Sequence, residues 1–212
     1  NDASGTGIGS IDSTGSFNND SGFSIVSYTG TGSNGTIKHG LNSAPSCIIT
    51  KSLSAAEDWG MYHVGIGNTS NISLNKTNAK YSANSAFWNN TNPTSSVFTV
   101  GTHPTINYNT KTIIAYCFAE KQGYSKFGSY TGNGNADGTF IYTGFKPALF
   151  LLKANAAGEN WRIFDNKRST FNPNSISLQP NSSNAEASNT DIDFCSNGIK
   201  LRTTSGEINP SG

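Results

Sequence analysis

One segment of this chain is written twice, 102 residues apart, and that constrains the fold more than any other feature. Ser27-Tyr28-Thr29-Gly30 returns as Ser129-Tyr130-Thr131-Gly132, Pro45 as Pro147, Lys51 as Lys153, and Glu57-Asp58-Trp59 as Glu159-Asn160-Trp161. Solenoid repeats run to roughly 20–50 residues, so a period this long makes each copy a domain-sized unit with its own core.

Within a copy the apolar runs are short. Phe23 to Tyr28, Ser46 to Lys51, Gly60 to Val64, Ser96 to Val100 and Thr112 to Ala119 have strand length, and Asn-Gly, Asp-Gly, Gly-Asn and Asn-Pro between them supply the backbone angles of turns. Composition agrees. Only 13% of residues are charged, against about 25% in an average soluble domain. Unbranched helix formers are sparse, with a single Met, whereas 12 Phe, 8 Tyr and 3 Trp are more aromatics than a disordered chain carries. These signals predict an all-β protein of two tandem antiparallel β-sandwich (jelly-roll-like) repeats. Residues 1–22 read as a low-complexity linker or lead-in, 23–120 as the first repeat, 121–126 as a linker and 127–212 as the second repeat.

The formal net charge of +1 provides no electrostatic footprint for nucleic acid, and no apolar stretch approaches the roughly 18 residues of a membrane span. Cys47, Cys117 and Cys195 are odd in number and without CxxC spacing, so they read as buried apolar thiols, not a disulfide framework or a zinc site. A chain beginning at Asn1 reads as a processed product or a segment of a longer polypeptide.

Several motifs invite chemical readings. Gly30, Gly32 and Gly35 satisfy GxGxxG after a strand, but Thr36-Ile37-Lys38-His39-Gly40 follows in place of a helix, so a glycine-rich turn is expected. Asn133, Asn135, Asp137 and Gly138 match the start of an EF-hand loop, yet Gly144 stands where the bidentate Glu belongs, and a turn held by amide side chains is expected instead. Paired acids for glycan hydrolysis are confined to Glu57 with Asp58 and Asp191 with Asp193, the latter also being plain strand alternation. His39, His63 and His103 do not recur between copies, which argues against a triad or a metal cluster. No catalytic residue, metal ligand or cofactor is therefore assigned. Trp59 and Trp161 recur and read as packing. Trp88, flanked by Asn89 and Asn90, has the indole-plus-amide chemistry that stacks and hydrogen-bonds a sugar, and these three residues are the candidate glycan site, against the alternative of a half-buried loop Trp.

The segments SYTGNGNADGTFIYTGFKPALFLLK, NWRIFDNKR, FNPN, LQPNSSNAE and DIDFCSNGIKLRTTSGEIN, with FWNNTNPTSSVF and AYCFAEKQGYSKFGSYTGNG upstream, resemble a repeated domain of unknown function. That domain occurs near the C-termini of large virion proteins of marine bacteriophages, often behind a concanavalin-like jelly roll. The resemblance implies a non-enzymatic structural or adhesive module, a tail fibre or appendage at the extracellular virion surface. Its partners would be other virion proteins, further copies of itself (a trimer if a fibre) and a host-surface glycan, with no nucleic acid and no membrane insertion. Capsid decoration and a surface-polysaccharide depolymerase are the alternatives.

The two copies end differently. The first closes with the apolar run from Thr112 to Ala119, whereas the second reaches Gly212 without a counterpart. The second sandwich is therefore expected to be completed by an outside strand: chain continuing beyond Gly212, as the resemblance implies, then a neighbouring subunit, or the lead-in around Ile8 and Ile11.

Overall fold

The run FSIVSYT alternates half-buried and buried positions from Phe23 to Tyr28 and ends exposed at Thr29, the pattern of a strand with one face on a core. The same logic recurs along the chain. The computed structural model describes residues 3–186, 188 and 191–211; the termini Asn1 and Gly212 lie outside them. The protein is all-β. Its strands are β1 (Ser13–Asn18), β2 (Phe23–Thr29), β3 (Gly35–Lys38), β4 (Cys47–Ser52), β5 (Gly60–His63), β6 (Ile72–Ser73), β7 (Val97–Val100), β8 (Thr112–Phe118), β9 (Phe140–Tyr142), β10 (Leu149–Lys153), β11 (Trp161–Asp165), β12 (Ile192–Cys195) and β13 (Gly198–Leu201). Among the described residues helix is limited to three four-residue turns, α1 (Ala3–Thr6), α2 (Ser85–Trp88) and α3 (Pro104–Asn107), and none is long and apolar enough to cross a membrane.

The chain divides into two compact units, Asn1–Ser73 with Lys80–Lys121, and Leu74–Ala79 with Gln122–Gly212. In unit 1 a six-stranded antiparallel sheet runs β1-β2-β8-β4-β5-β6, and β3 pairs with β7 separately. Val26, Tyr28, Ile48, Ile113, Ala115 and Cys117 from the large sheet meet Ile37, Phe98 and Val100 from the small one in a single core. The strand β8 is central: Ile113, Ala115 and Cys117 are fully buried, and it pairs with β2 on one side and β4 on the other. Residues 1–22, expected as a linker or lead-in, are partly structural. The polar run Ser13–Asn18 pairs with β2 in full register, and Ile11 is buried in the unit 1 core. That segment lacks apolar alternation because its place is secured by the backbone ladder on an edge. It is therefore committed to unit 1.

Unit 2 carries β10 paired with β11, and a three-stranded sheet β12-β13-β9. Leu152, Phe164, Ile192, Phe194, Ile199, Leu201 and Ile208 form its core, with Tyr130, Ile141 and Phe150 partly buried against it. The segment Leu74–Ala79 belongs to this unit, where Thr77 O accepts from Gly158 N at 2.9 Å.

Candidate functional site

The repeated glycine-rich turns are fastened by the same side chains in both units. Tyr28 donates its hydroxyl to Ile106 O at 2.6 Å, and Tyr130 donates to Ile208 O at 2.6 Å. Asn107 accepts from Thr31 N and donates to Ser33 O and Gly101 O; Asn209 accepts from Asn133 N and donates to Asn135 O and Thr203 O. Both Asn side chains are fully buried. The turns lie so close to these latches that a Cβ on Gly30 would meet Tyr108 O at 2.2 Å, and one on Gly132 would meet Pro210 O at 2.2 Å. Of the GxGxxG glycines, Gly30 therefore serves close backbone approach, Gly32 takes a positive φ (68°), and Gly35 makes room for the Ile11 side chain.

Asp137, Asp193, Glu57 and the three histidines, all singled out in the sequence, are engaged by the scaffold. Asp137, in the loop resembling a calcium site, faces Lys200 Nζ at 2.8 Å, and that ammonium holds its carboxyl below the usual carboxylate range. Asp193 pairs with Arg202 Nε at 2.7 Å. Glu57 accepts from Thr105 Oγ1 at 3.3 Å. All three histidines use Nδ1 to accept a backbone N–H two residues on: His39 from Leu41, His63 from Gly65 and His103 from Thr105. Burial depresses the affinity of each for a second proton. Cys47 and Cys117 are buried and unbridged, their thiols pushed up to about 12 chiefly by burial, and Cys195 is half-buried. A charged cluster not anticipated from sequence lies in unit 2. There the buried Arg162 donates Nε to Glu207 at 2.7 Å and Nη1 to Ser177 Oγ at 3.0 Å, while Asn160 donates to Glu207 Oε1 at 2.7 Å. The buried Arg162 guanidinium is thus matched by a half-buried carboxylate and a hydroxyl, as a largely desolvated cation must be.

Trp88 is not where a sugar platform requires it to be. Its indole is 1% exposed, at the end of α2, with Tyr62 edge-on at 5.8 Å between ring centroids. Asn84 caps the start of this turn, and Asn89 ends it in the left-handed conformation (φ 49°), which swings Phe87 and Trp88 into the core and leaves the amides of Asn89 and Asn90 outside. Asn89 accepts from Asn34 Nδ2 at 3.1 Å, and Asn90 is exposed. The three candidate residues are thus adjacent in sequence but split between core and surface. A sugar has no access to the Trp88 indole, so these residues do not form one glycan site.

Unit 2 instead presents an exposed aromatic beside a concavity. The loop after β11 is fixed at several points. Asp165 Oδ1 accepts from Lys167 N and Arg168 N at 2.9 and 2.7 Å, and the fully buried Asn174 donates to Asp165 O and Ser169 O, both at 2.8 Å. Asn172 accepts from Phe194 N at 3.0 Å and donates to Phe194 O at 3.2 Å. From this fastened loop Phe171 projects with 84% of its surface exposed. It borders a concavity of about 220 Å³ lined also by Lys146, Asn166, Ser169, Asn172 and Phe194. An apolar ring face among amide, hydroxyl and ammonium groups is the chemistry that stacks on a pyranose and hydrogen-bonds its hydroxyls. The sequence signal was present: Phe171-Asn172-Pro173-Asn174 is an aromatic followed by amides, like Trp88-Asn89-Asn90, without the helical turn that buries Trp88.

No curated protein and no solved structure matches the chain. One family does, over residues 1–212, so the chain belongs to the family described as Domain of unknown function (DUF7483).

Proposed function

We propose that the protein is a non-catalytic structural and adhesive module of a bacteriophage virion, a tail fibre or related appendage at the extracellular surface of the particle. In this reading unit 2 touches host-surface glycan at the Phe171 concavity. The observation that carries the adhesive part is a largely exposed aromatic held on a loop whose backbone is tied at Asp165, Asn172 and Asn174, so little ordering entropy is lost when a sugar stacks on it. The structural part is supported by the recurrence of one Tyr–Asn latch in both units and by ionisable groups that are spent on the scaffold. The near-neutral charge favours a neutral glycan over a polyanion. Single-site affinity would be weak, and several copies in a homo-oligomer, a trimer in a fibre, would raise it by avidity.

A glycan array probed with the parent and with Phe171→Ala tests the site. Loss of at least about fivefold in apparent affinity is expected, taking the about 1–3 kcal/mol of base–aromatic stacking as the scale for a ring stacked on Phe171. Equal binding by the two proteins removes Phe171 from the reading. Incubation with host-surface polysaccharide is expected to leave reducing ends unchanged, and turnover would favour a depolymerase. Gold-labelled antibody on intact particles is expected to mark the tail, whereas label over the capsid lattice would favour decoration.

A further inference from the structure

In unit 1, β8 lies between β2 and β4, and its residues alternate in the neighbour they hydrogen-bond. Lys111 O accepts from Gly30 N and Ala119 N donates to Gly22 O on the β2 side, while Thr112 O accepts from Leu53 N on the β4 side. The even-numbered residues Ile114, Tyr116 and Phe118 therefore face Lys51, Ile49 and Cys47, their register partners on β4.

The latches place the two units in a shared register of 102 residues, which sets β10 against β4. Here the units part. Among the described residues β10 pairs with β11 alone, and no strand occupies the side corresponding to β8. The groups facing that side follow from β11. Ile163 spends both its N–H and its C=O on Leu178, at 2.9 and 3.0 Å, so its pairing with Leu151 is of the non-hydrogen-bonded kind. Leu151 therefore directs its own N–H and C=O to the open edge, and by alternation Leu149 and Lys153 do the same. Trp161 N, opposite Lys153, is likewise turned away from β10 to Asn181.

The side chains repeat this difference. Cys47, paired with Phe118, is 4% exposed, while Leu149 at the corresponding place is 61% exposed. Ile48 is fully buried where Phe150 is only partly so, and Tyr28 is 3% exposed where Tyr130 is only partly buried. The residues corresponding to β2 form no strand from Lys126 to Thr131.

We propose that the open edge of β10 is a seat for one antiparallel strand supplied from outside residues 1–212, with the chemistry of β8. That occupant is an extended segment of about seven residues. It places small or branched apolar side chains on the unit 2 core, as Ile113, Ala115 and Cys117 do in unit 1, and larger apolar ones on the opposite face, as Ile114, Tyr116 and Phe118 do. Backbone groups of Leu149, Leu151 and Lys153 supply affinity, and the alternation of side chains supplies selectivity. Unit 1 is the template for the seat, and the argument is independent of the glycan reading.

The probe is a synthetic peptide with the sequence of residues 111–120, added under reducing conditions to the whole protein. Binding with a Kd below about 100 μM is expected, together with at least about tenfold slower amide exchange at Leu149, Leu151 and Lys153 and no change in β4. A peptide N-methylated at the residue equivalent to Tyr116 cannot donate to the β10 edge and should bind at least about tenfold more weakly, as should a scrambled sequence. This control alters only the peptide, so the fold of the protein does not enter. Absence of binding at 1 mM peptide, on the order of −4 kcal/mol, overturns the proposal. So do equal binding of the scrambled or N-methylated peptide and, in favour of a second copy as occupant, concentration-dependent dimers whose β10 amides are protected without peptide.

Discussion

Replacing Asn107 by Ala tests whether the repeated latch holds the glycine-rich turn or merely decorates it. The side chain is fully buried and makes three hydrogen bonds: from Thr31 N at 2.8 Å, to Ser33 O at 2.7 Å and to Gly101 O at 2.6 Å. These partners are not equivalent after truncation. Gly101 is buried, so its carbonyl loses an acceptor's partner without water to replace it, at about 1–3 kcal/mol. Thr31 and Ser33 are exposed, and water can reach their backbone groups, so each lost bond costs about 0.5–1 kcal/mol. The expected destabilisation is about 2–5 kcal/mol, a large fraction of the roughly 5–15 kcal/mol available to a domain. Urea unfolding followed by tryptophan fluorescence should show the midpoint falling by about 1–2 M with the slope unchanged. Exchange of the Thr31 amide should quicken in the same variant. Asn107→Asp keeps the acceptor but sets a carboxyl against two carbonyls, which raises its folded pKa above the unfolded value of about 3.9. Its stability is therefore highest below about pH 4 and is lost as pH rises through the folded pKa. A change under about 0.5 kcal/mol in Asn107→Ala, with Thr31 exchange unaltered, refutes the latch.

Trp88→Ala should cost about 3–5 kcal/mol of stability, as expected for removing a buried indole, whereas Phe171→Ala should change stability by less than about 0.5 kcal/mol; chemical unfolding of both variants separates core from platform. The three histidines have depressed folded pKa values through burial, opposed at His103 by Glu57 and Asp58, so the unfolded chain takes up protons first on acidification. Stability from these groups is present above the unfolded pKa of about 6.5 and is lost as pH falls through their folded pKa values, so urea midpoints should drop between pH 7.5 and pH 5, and a flat profile would remove the buried-histidine argument.

What could be read from sequence follows from how local each interaction is. Phe23–Thr29 and Thr112–Phe118 announce themselves because alternate residues enter the core, so the side-chain period is visible in the letters. Ser13–Asn18 does not, since its strand is made by backbone pairing with β2 and five of its six side chains are exposed. Trp88 was misleading for a related reason: the residues that follow it are polar, and only the cap at Asn84 and the left-handed turn at Asn89 reveal that the indole points inward with Phe87. The most instructive contrast is between Ser27-Tyr28-Thr29 and Ser129-Tyr130-Thr131. The letters are identical and both tyrosines make the same 2.6 Å bond, because that latch needs only residues of its own unit. Yet the first triplet is strand and the second is not. Strand character belongs to a pair of chains, and β8 lies beside Tyr28 with no counterpart beside Tyr130 among the described residues. A repeat read from one copy therefore transfers side-chain hydrogen bonds reliably, but transfers sheet only where the neighbouring strand is also repeated.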